Sequence, residues 1–332
     1  MITDARALRL EFVPQDLEHR GGQIDYLSSI FEPLMNDQQG EHVCIHGPSG
    51  AGKTTLAKYT LDHLKSQTFG IRWGYVNCMS DSAPGSVLYE LVRDAGLGRD
   101  LRREGTPTAT ALDYFRSHDD QIVLVIDEVD VLDDIQTLLA LYEQPNVTLV
   151  CITLKQTEWL ADMDPRAESR FRCIESLRLE KYSYDELMDI LKSRVSHGLV
   201  RSRVDDRAIE TIADIAAGDA RHGITLLRRS ARQASREETD LTVEIVDSNV
   251  EAAQEDLEDH RIRYYGTHKR ALYEIIKAAG EIEPGTLHRR YEERVKSPKA
   301  KSTRRKYLAY LKRYDEIDTV GNGPATTYRY VR

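Results

Sequence analysis

Five stretches of the chain are apolar or nearly so: 43–46, 71–77, 122–126, 147–153 and 173–179. Short runs rich in Val and Ile predict strands buried on both faces. Between them apolar positions recur at helical spacing, predicting helices over 54–66, 85–95, 107–117, 131–143 and 157–162. Strands and helices that alternate in this way build a parallel sheet covered on both faces. Ligands of such sheets bind beyond the carboxyl ends of the strands.

After Tyr182 the strand signals stop. SYDELMDILKSRVSHGL, DDRAIETIADIAAG, GDARHGITLLRRS and TVEIVDSNVEAAQEDL all read as helices. In the third, Ala220, Ile224, Leu227 and Ala231 form the face to be buried, and Arg221, Arg228 and Arg232 line another. Arg221 follows the Gly-Asp pair by one residue, at a helix N-terminus that mildly disfavours a cation. By its pattern alone it reads as a surface arginine of an Arg-rich helix.

The last 70 residues differ again. THKRALYEIIKAAG is a helix stopped by Gly280, EPGTLHRRYEERV a second, and KSTRRKYLAYLKRYDEI a third and basic one. IDTV and TTYRYVR around GNGPA give a hairpin signal. Three helices and a hairpin describe a winged helix-turn-helix, whose third helix enters the major groove. Leu308 and Leu311 face its core, leaving Lys301, Arg304, Arg305, Lys306 and Lys312 for phosphates or base edges.

Charge sharpens this picture. Of 46 Lys and Arg and 55 Asp and Glu, residues 260–332 hold 18 and 8, leaving 28 against 47 for residues 1–259. A basic module on an acidic body points to nucleic acid or another polyanion; on a winged helix, which can also serve protein contacts, the basic excess favours double-stranded DNA as the partner. A length of 332 residues predicts two or three domains. No run is long enough to span a bilayer, and MITDARALRLEF lacks the regions of an export signal. Cys44, Cys78, Cys151 and Cys173 lie far apart and form no CxxC pair, as expected of reduced, buried residues in a cytoplasmic protein without a membrane partner.

The chemistry is concentrated at two strand ends. GPSGAGKTT places Gly47, Pro48, Ser49, Gly50, Ala51, Gly52, Lys53, Thr54 and Thr55 between a predicted strand and a predicted helix. This is the P-loop pattern, in which glycines let backbone N–H groups turn toward phosphate at a helix N-terminus. Lys53 would reach the β- and γ-phosphates of ATP, and Thr54 would ligate Mg²⁺. QIVLVIDEVD ends a buried strand in acids: Asp127 is the expected Mg²⁺ partner through water, and Glu128 the candidate to polarise the attacking water.

With these parts in place the chain resembles the archaeal replication-initiator branch of the AAA+ ATPases, the origin-recognition and cell-division-cycle (Orc/Cdc) family. The likeness covers nearly the whole length and includes FVPQDLEHRGGQIDYL, IDEVD, DPRAESRF, SYDELMDILKSRV and GDAR. It implies an α/β P-loop AAA+ base over residues 1–180, an all-α lid over 181–258 and a winged-helix domain over 259–332. It also implies that Arg221 is the second sensor, which reaches the nucleotide from the lid. Val13, Pro14, Arg20 and Gln23 would border the adenine. The arginine finger, offered to a neighbouring subunit's ATP, would be Arg170, with Arg166 second.

One position departs from the family: relatives carry a polar residue, usually Asn, after the fourth strand, where this chain has Leu154. Tight binding of ATP or ADP with weak turnover is therefore expected. The resemblance implies an ATP-regulated initiator that marks origins on double-stranded DNA and recruits the replicative helicase. It would be cytoplasmic and nucleoid-associated, and would self-associate or join related initiator subunits. An AAA+ DNA motor, or a mobile-element or plasmid ATPase regulator with a winged helix, is the alternative.

Overall fold

The computed structural model describes the chain except residues 15, 69, 81, 99–100, 103–106, 315, 322–325 and 332. Two compact units result: Met1–Cys78 with Ser82–Glu258, and Met79–Asp81 with Asp259–Arg332.

The first unit begins with α1 (Gly21–Phe31), β1 (Val43–His46), α2 (Lys53–Gln67), β2 (Ile71–Asn77), α3 (Pro84–Asp94) and α4 (Thr108–Arg116). It continues with β3 (Gln121–Asp127), α5 (Ile135–Tyr142), β4 (Val147–Thr153), α6 (Gln156–Ala161), α7 (Pro165–Phe171) and β5 (Glu175–Arg178). The strands form one parallel sheet in the order β2-β3-β4-β1-β5. Every residue of β3 and β4 is buried, as their unbroken apolar runs require. On one face Val123 and Val125 of β3 and Ile45 of β1 pack against Leu27 and Phe31 of α1 and Leu56 and Leu61 of α2.

Some elements differ from the sequence expectation. β5 is shorter than 173–179 because it lies at the sheet edge with β1 as its neighbour, and three of its four residues are exposed. The segment expected as one helix over 131–143 starts as a 3-10 turn at Val129–Val131, and α5 begins only after Asp134 accepts the Gln136 N–H. α1 and α7 lie outside the helices that the apolar spacing predicts. Cys44, Cys78 and Cys151 are buried, but Cys173 is exposed, since it precedes the edge strand and is not part of it.

The helical part contains α8 (Tyr184–Gly198), α9 (Asp206–Ala216), α10 (Ala220–Arg236), α11 (Val243–Asp247) and α12 (Val250–Tyr264). A capping box between Ser183 and Glu186 starts α8. Leu187, Leu191, Ile209, Ile212, Leu226, Leu227 and Ala231 form its core, which Leu8 from the N-terminal segment joins. The helix expected across 242–257 is two, because the buried Asn249 side chain donates to Ile245 O and Gln233 Oε1 and so ends α11. Residues on either side of 13–16 belong to different cores: Leu8 packs with α8–α11, and Leu17 and Leu27 pack against the sheet.

The second unit contains α13 (Thr267–Ala279), β6 (Glu281–Ile282), α14 (Pro284–Arg294), α15 (Lys301–Arg313), β7 (Ile317–Val320) and β8 (Thr327–Tyr330). The strands pair antiparallel in the order β6-β8-β7. β7 and β8 are the expected hairpin strands, and most of their predicted turn falls outside the described residues. β6 has two residues, too few to show a period. Leu272, Ile276, Leu287, Leu308 and Leu311 are buried together with Tyr273, Tyr291, Tyr307 and Tyr310. Among the described residues, no helix is long and apolar enough to cross a membrane.

Candidate nucleotide site

The loop between β1 and α2 has a backbone that side chains resist. Gly50 and Gly52 adopt φ values of 74° and 86°, in the left-handed region. A Cβ at Gly50 would lie 2.0 Å from the Asp219 carboxylate, and one at Gly52 2.5 Å from the Tyr182 hydroxyl. The glycines therefore allow both the turn and the close approach of the helical part. Ala220 at the start of α10 donates its N–H to Gly50 O at 3.3 Å. Pro48, Ser49 and Ala51 complete the loop, and Lys53, Thr54 and Thr55 open α2.

Lys53 is buried and curls back, its Nζ donating to Gly47 O at 2.7 Å and Pro48 O at 2.9 Å. Burial lowers its pKa, the carboxylates of Glu128 and Asp127 oppose this, and the Arg221 charge adds to it. Thr54 Oγ1 donates to Asp127 Oδ2 at 2.7 Å across the gap between α2 and β3. Glu128 follows in a left-handed conformation, φ 55°, which directs it away from the strand path. Its pKa is raised, first by burial and then by Asp127 and Asp130, against the lowering effect of Lys53 and Arg221. These groups fit a magnesium nucleotide: a glycine cradle, a buried ammonium, a hydroxyl on a carboxylate and a basic second carboxylate.

Arg221 enters this site from α10. Asp219 caps the helix by accepting the His222 N–H at 3.0 Å, and Arg221 lies in the first turn after it. Its guanidinium makes no hydrogen bond or ion pair with a described residue, and its field acts on Lys53 and Glu128. Ala220, its neighbour in α10, lines a cleft together with Pro14, Leu17, Gly52, Thr55, Tyr182 and Arg194.

Of the residues expected around adenine, Pro14 lines this cleft, and Val13, Arg20 and Gln23 are not among its lining residues. Arg20 is buried instead, donating to Ala51 O and Glu180 O at 3.0 and 3.1 Å and covering the Tyr182 ring. It ties the P-loop to the entry of α8. Nothing in the sequence singles out Tyr182 or Arg194, because the pattern around each signals helix packing alone. Arg194 is buried and donates to Ala7 O and Phe12 O at 2.9 and 3.1 Å.

Two further expectations concern the edges of the site. Arg170 and Arg166 of α7 both reach Glu143 Oε1, at 3.1 and 3.4 Å. The register of β1 with β4 is regular through His46 and Thr153, which leaves Leu154 just past the end of β4. The Thr153 hydroxyl donates to Asp130 Oδ1 at 3.0 Å.

In the second unit Lys301, Arg305, Lys306 and Lys312 of α15 are exposed. Lys312 is also held by the Thr319 hydroxyl of β7 at 2.5 Å. Arg304 is a correction: it is 4% exposed and cannot offer its charge to DNA. It faces α14, donating to Glu292 Oε1 at 2.7 Å and stacking over Tyr291. Spacing alone placed it with the basic face, but the α14–α15 packing turns it inward.

Comparison with known proteins adds family relationships to this geometry. A family described as "AAA domain" matches residues 36–163, and the "Cdc6 AAA+ ATPase-type lid domain" matches residues 188–255. ORC1-type DNA replication protein 9 of Halobacterium salinarum is 32% identical and covers 100% of this chain and 94% of its own length. ORC1-type DNA replication protein 1 of the same organism is 35% identical over 91% of this chain and 98% of its own. The Aeropyrum pernix ORC1 protein, solved in complex with DNA, shares the fold at a TM-score of 0.74 and 22% identity, over 99% of this chain and 93% of that one.

Proposed function

Because the chain belongs to the ORC1-type DNA replication proteins, we propose that it is an ATP-regulated initiator that binds double-stranded DNA at origins and recruits the replicative helicase. The second unit serves as a winged helix, with Lys301, Arg305, Lys306 and Lys312 of α15 meeting the duplex. The observation that carries the nucleotide switch is the meeting of base and lid on the P-loop. Ala220 donates to Gly50 O, and the charge of Arg221 bears on Lys53 and Glu128. A nucleotide held there touches both parts, so its phosphate number sets their relative angle and what is offered to DNA and partners.

In this reading Lys53 and Arg221 bind the phosphates, and Thr54 and Asp127 hold Mg²⁺, which supplies charge neutralisation at the phosphate oxygens. Glu128, made more basic by burial and by its acidic neighbours, accepts a proton from the attacking water. No polar side chain stands at Leu154 to orient that water, so hydrolysis is slow and works as a switch. Arg170, or Arg166, acts on the nucleotide of a neighbouring subunit after leaving Glu143.

The test is nucleotide binding by titration calorimetry. Arg221→Ala is expected to weaken binding of ATP by about tenfold, the worth of a hydrogen bond to a charged group, and Lys53→Ala to weaken it more. Unchanged affinity in Arg221→Ala contradicts its role as a lid sensor. A DNA motor would instead show turnover stimulated strongly by DNA.

A further inference from the structure

Tyr75 of β2 is in register with Val125 of β3 and reaches diagonally to Asp127, its hydroxyl donating to Oδ2 at 2.9 Å. Thr54 Oγ1 donates to the same oxygen at 2.7 Å. The Tyr75 ring is held by Lys58, whose ammonium sits 3.6 Å from its centroid, one turn along α2 from Thr54. Asn77 Nδ2 approaches the Tyr75 oxygen as a donor at 3.5 Å, which leaves the hydroxyl hydrogen to point at the carboxylate. No motif includes Tyr75, and its ring alone reads as core packing.

An ionised carboxylate has about four acceptor positions, two on each oxygen. Oδ2 of Asp127 has both filled, by Thr54 and Tyr75. Oδ1 has one filled, by the Glu128 N–H at 3.0 Å. Among the described residues one position on Oδ1 stays open.

We propose that Tyr75 is a positioning residue for the divalent cation that accompanies the nucleotide: by filling Oδ2 together with Thr54 it fixes the Asp127 carboxylate and presents Oδ1 to the cation's water shell. The proposal rests on the nucleotide-site reading above. Two hydroxyls on one oxygen resist rotation of the carboxylate about its Cβ–Cγ bond. With the Thr54 hydrogen committed to Oδ2, the Thr54 lone pairs remain for the cation. Without the Tyr75 hydroxyl the carboxylate turns more freely, and a cation-bound water meets either oxygen.

The experiment compares the full chain with Tyr75→Phe, which keeps the ring and its contact with Lys58. The Kd of a non-hydrolysable ATP analogue is measured with Mg²⁺ and with EDTA. Partners that orient a metal's ligands are worth 10–100-fold in metal affinity, so the Mg²⁺ enhancement is expected to fall about tenfold in Tyr75→Phe with the metal-free Kd held within about twofold. An unchanged enhancement overturns the role of Tyr75, as does a parallel loss with and without Mg²⁺, which marks a packing effect. If the unaltered chain binds the analogue no better than Lys53→Ala in either condition, the nucleotide site itself is wrong. If it binds with a strong Mg²⁺ dependence that Tyr75→Phe preserves, only the present inference falls.

Discussion

Leu154 follows β4 with a side chain that neither donates nor accepts, and the hydroxyl beside it, Thr153, is held by Asp130. A group aimed at charge that develops in the transition state is worth about 10²–10³ in kcat when removed. Leu154→Asn is therefore expected to raise kcat for ATP by at least about tenfold while leaving the Kd unchanged. Phosphate release under single- and multiple-turnover conditions measures this. A parent rate already in the usual enzyme range of about 1 s⁻¹ or more contradicts the account, as does a Leu154→Asn variant no faster than the parent.

At the scale of elements, His42 immediately precedes β1, and its ring couples sheet stability to acid. Its Nδ1 accepts the Leu149 N–H at 3.0 Å, which requires the neutral ring, and burial lowers its pKa to about 4. As pH falls below about 6.5, the unfolded chain takes up a proton that the folded one refuses until about pH 4. Stability from this group thus falls with pH across that window, by up to about 3 kcal/mol. Urea unfolding at several pH values should show a shallower acid loss in His42→Asn, which keeps an acceptor and removes the titration. An identical slope in both proteins contradicts it. In the second unit, Arg304→Met should lower the thermal midpoint of that unit. Lys306→Ala should leave the midpoint alone and reduce the salt slope of DNA binding by about one. The reverse assignment would restore Arg304 to the DNA face.

These elements also show what a sequence carries. The central strands β3 and β4 were legible because burial on both faces forces an unbroken apolar run, and their register then fixes where Asp127 and Leu154 emerge. The P-loop was legible because its glycines answer a backbone requirement within nine residues. Tyr75 was not, since its contact with Asp127 depends on which strand becomes the neighbour of β3. Arg304 misled, because a basic residue at helical spacing shows its face only after α14 packs. Arg20 and Arg194 are likewise buried against backbone carbonyls contributed by distant segments, which local patterns do not encode.

Over the whole molecule, charge divides the work. Residues 260–332 carry 18 basic against 8 acidic groups, and the remainder 28 against 47. In the proposed function, the basic segment attracts DNA and the acidic remainder repels it, which favours a single docking geometry over indiscriminate coating. In the proposed function this docking occurs at origins, under control of the nucleotide held between base and lid. Genome-wide occupancy of the tagged protein in its own host, beside a Lys53→Ala strain, tests it most directly. One or a few sharp peaks are expected where replication starts, with altered peaks in Lys53→Ala. Diffuse or absent occupancy, or peaks away from replication starts, would contradict it.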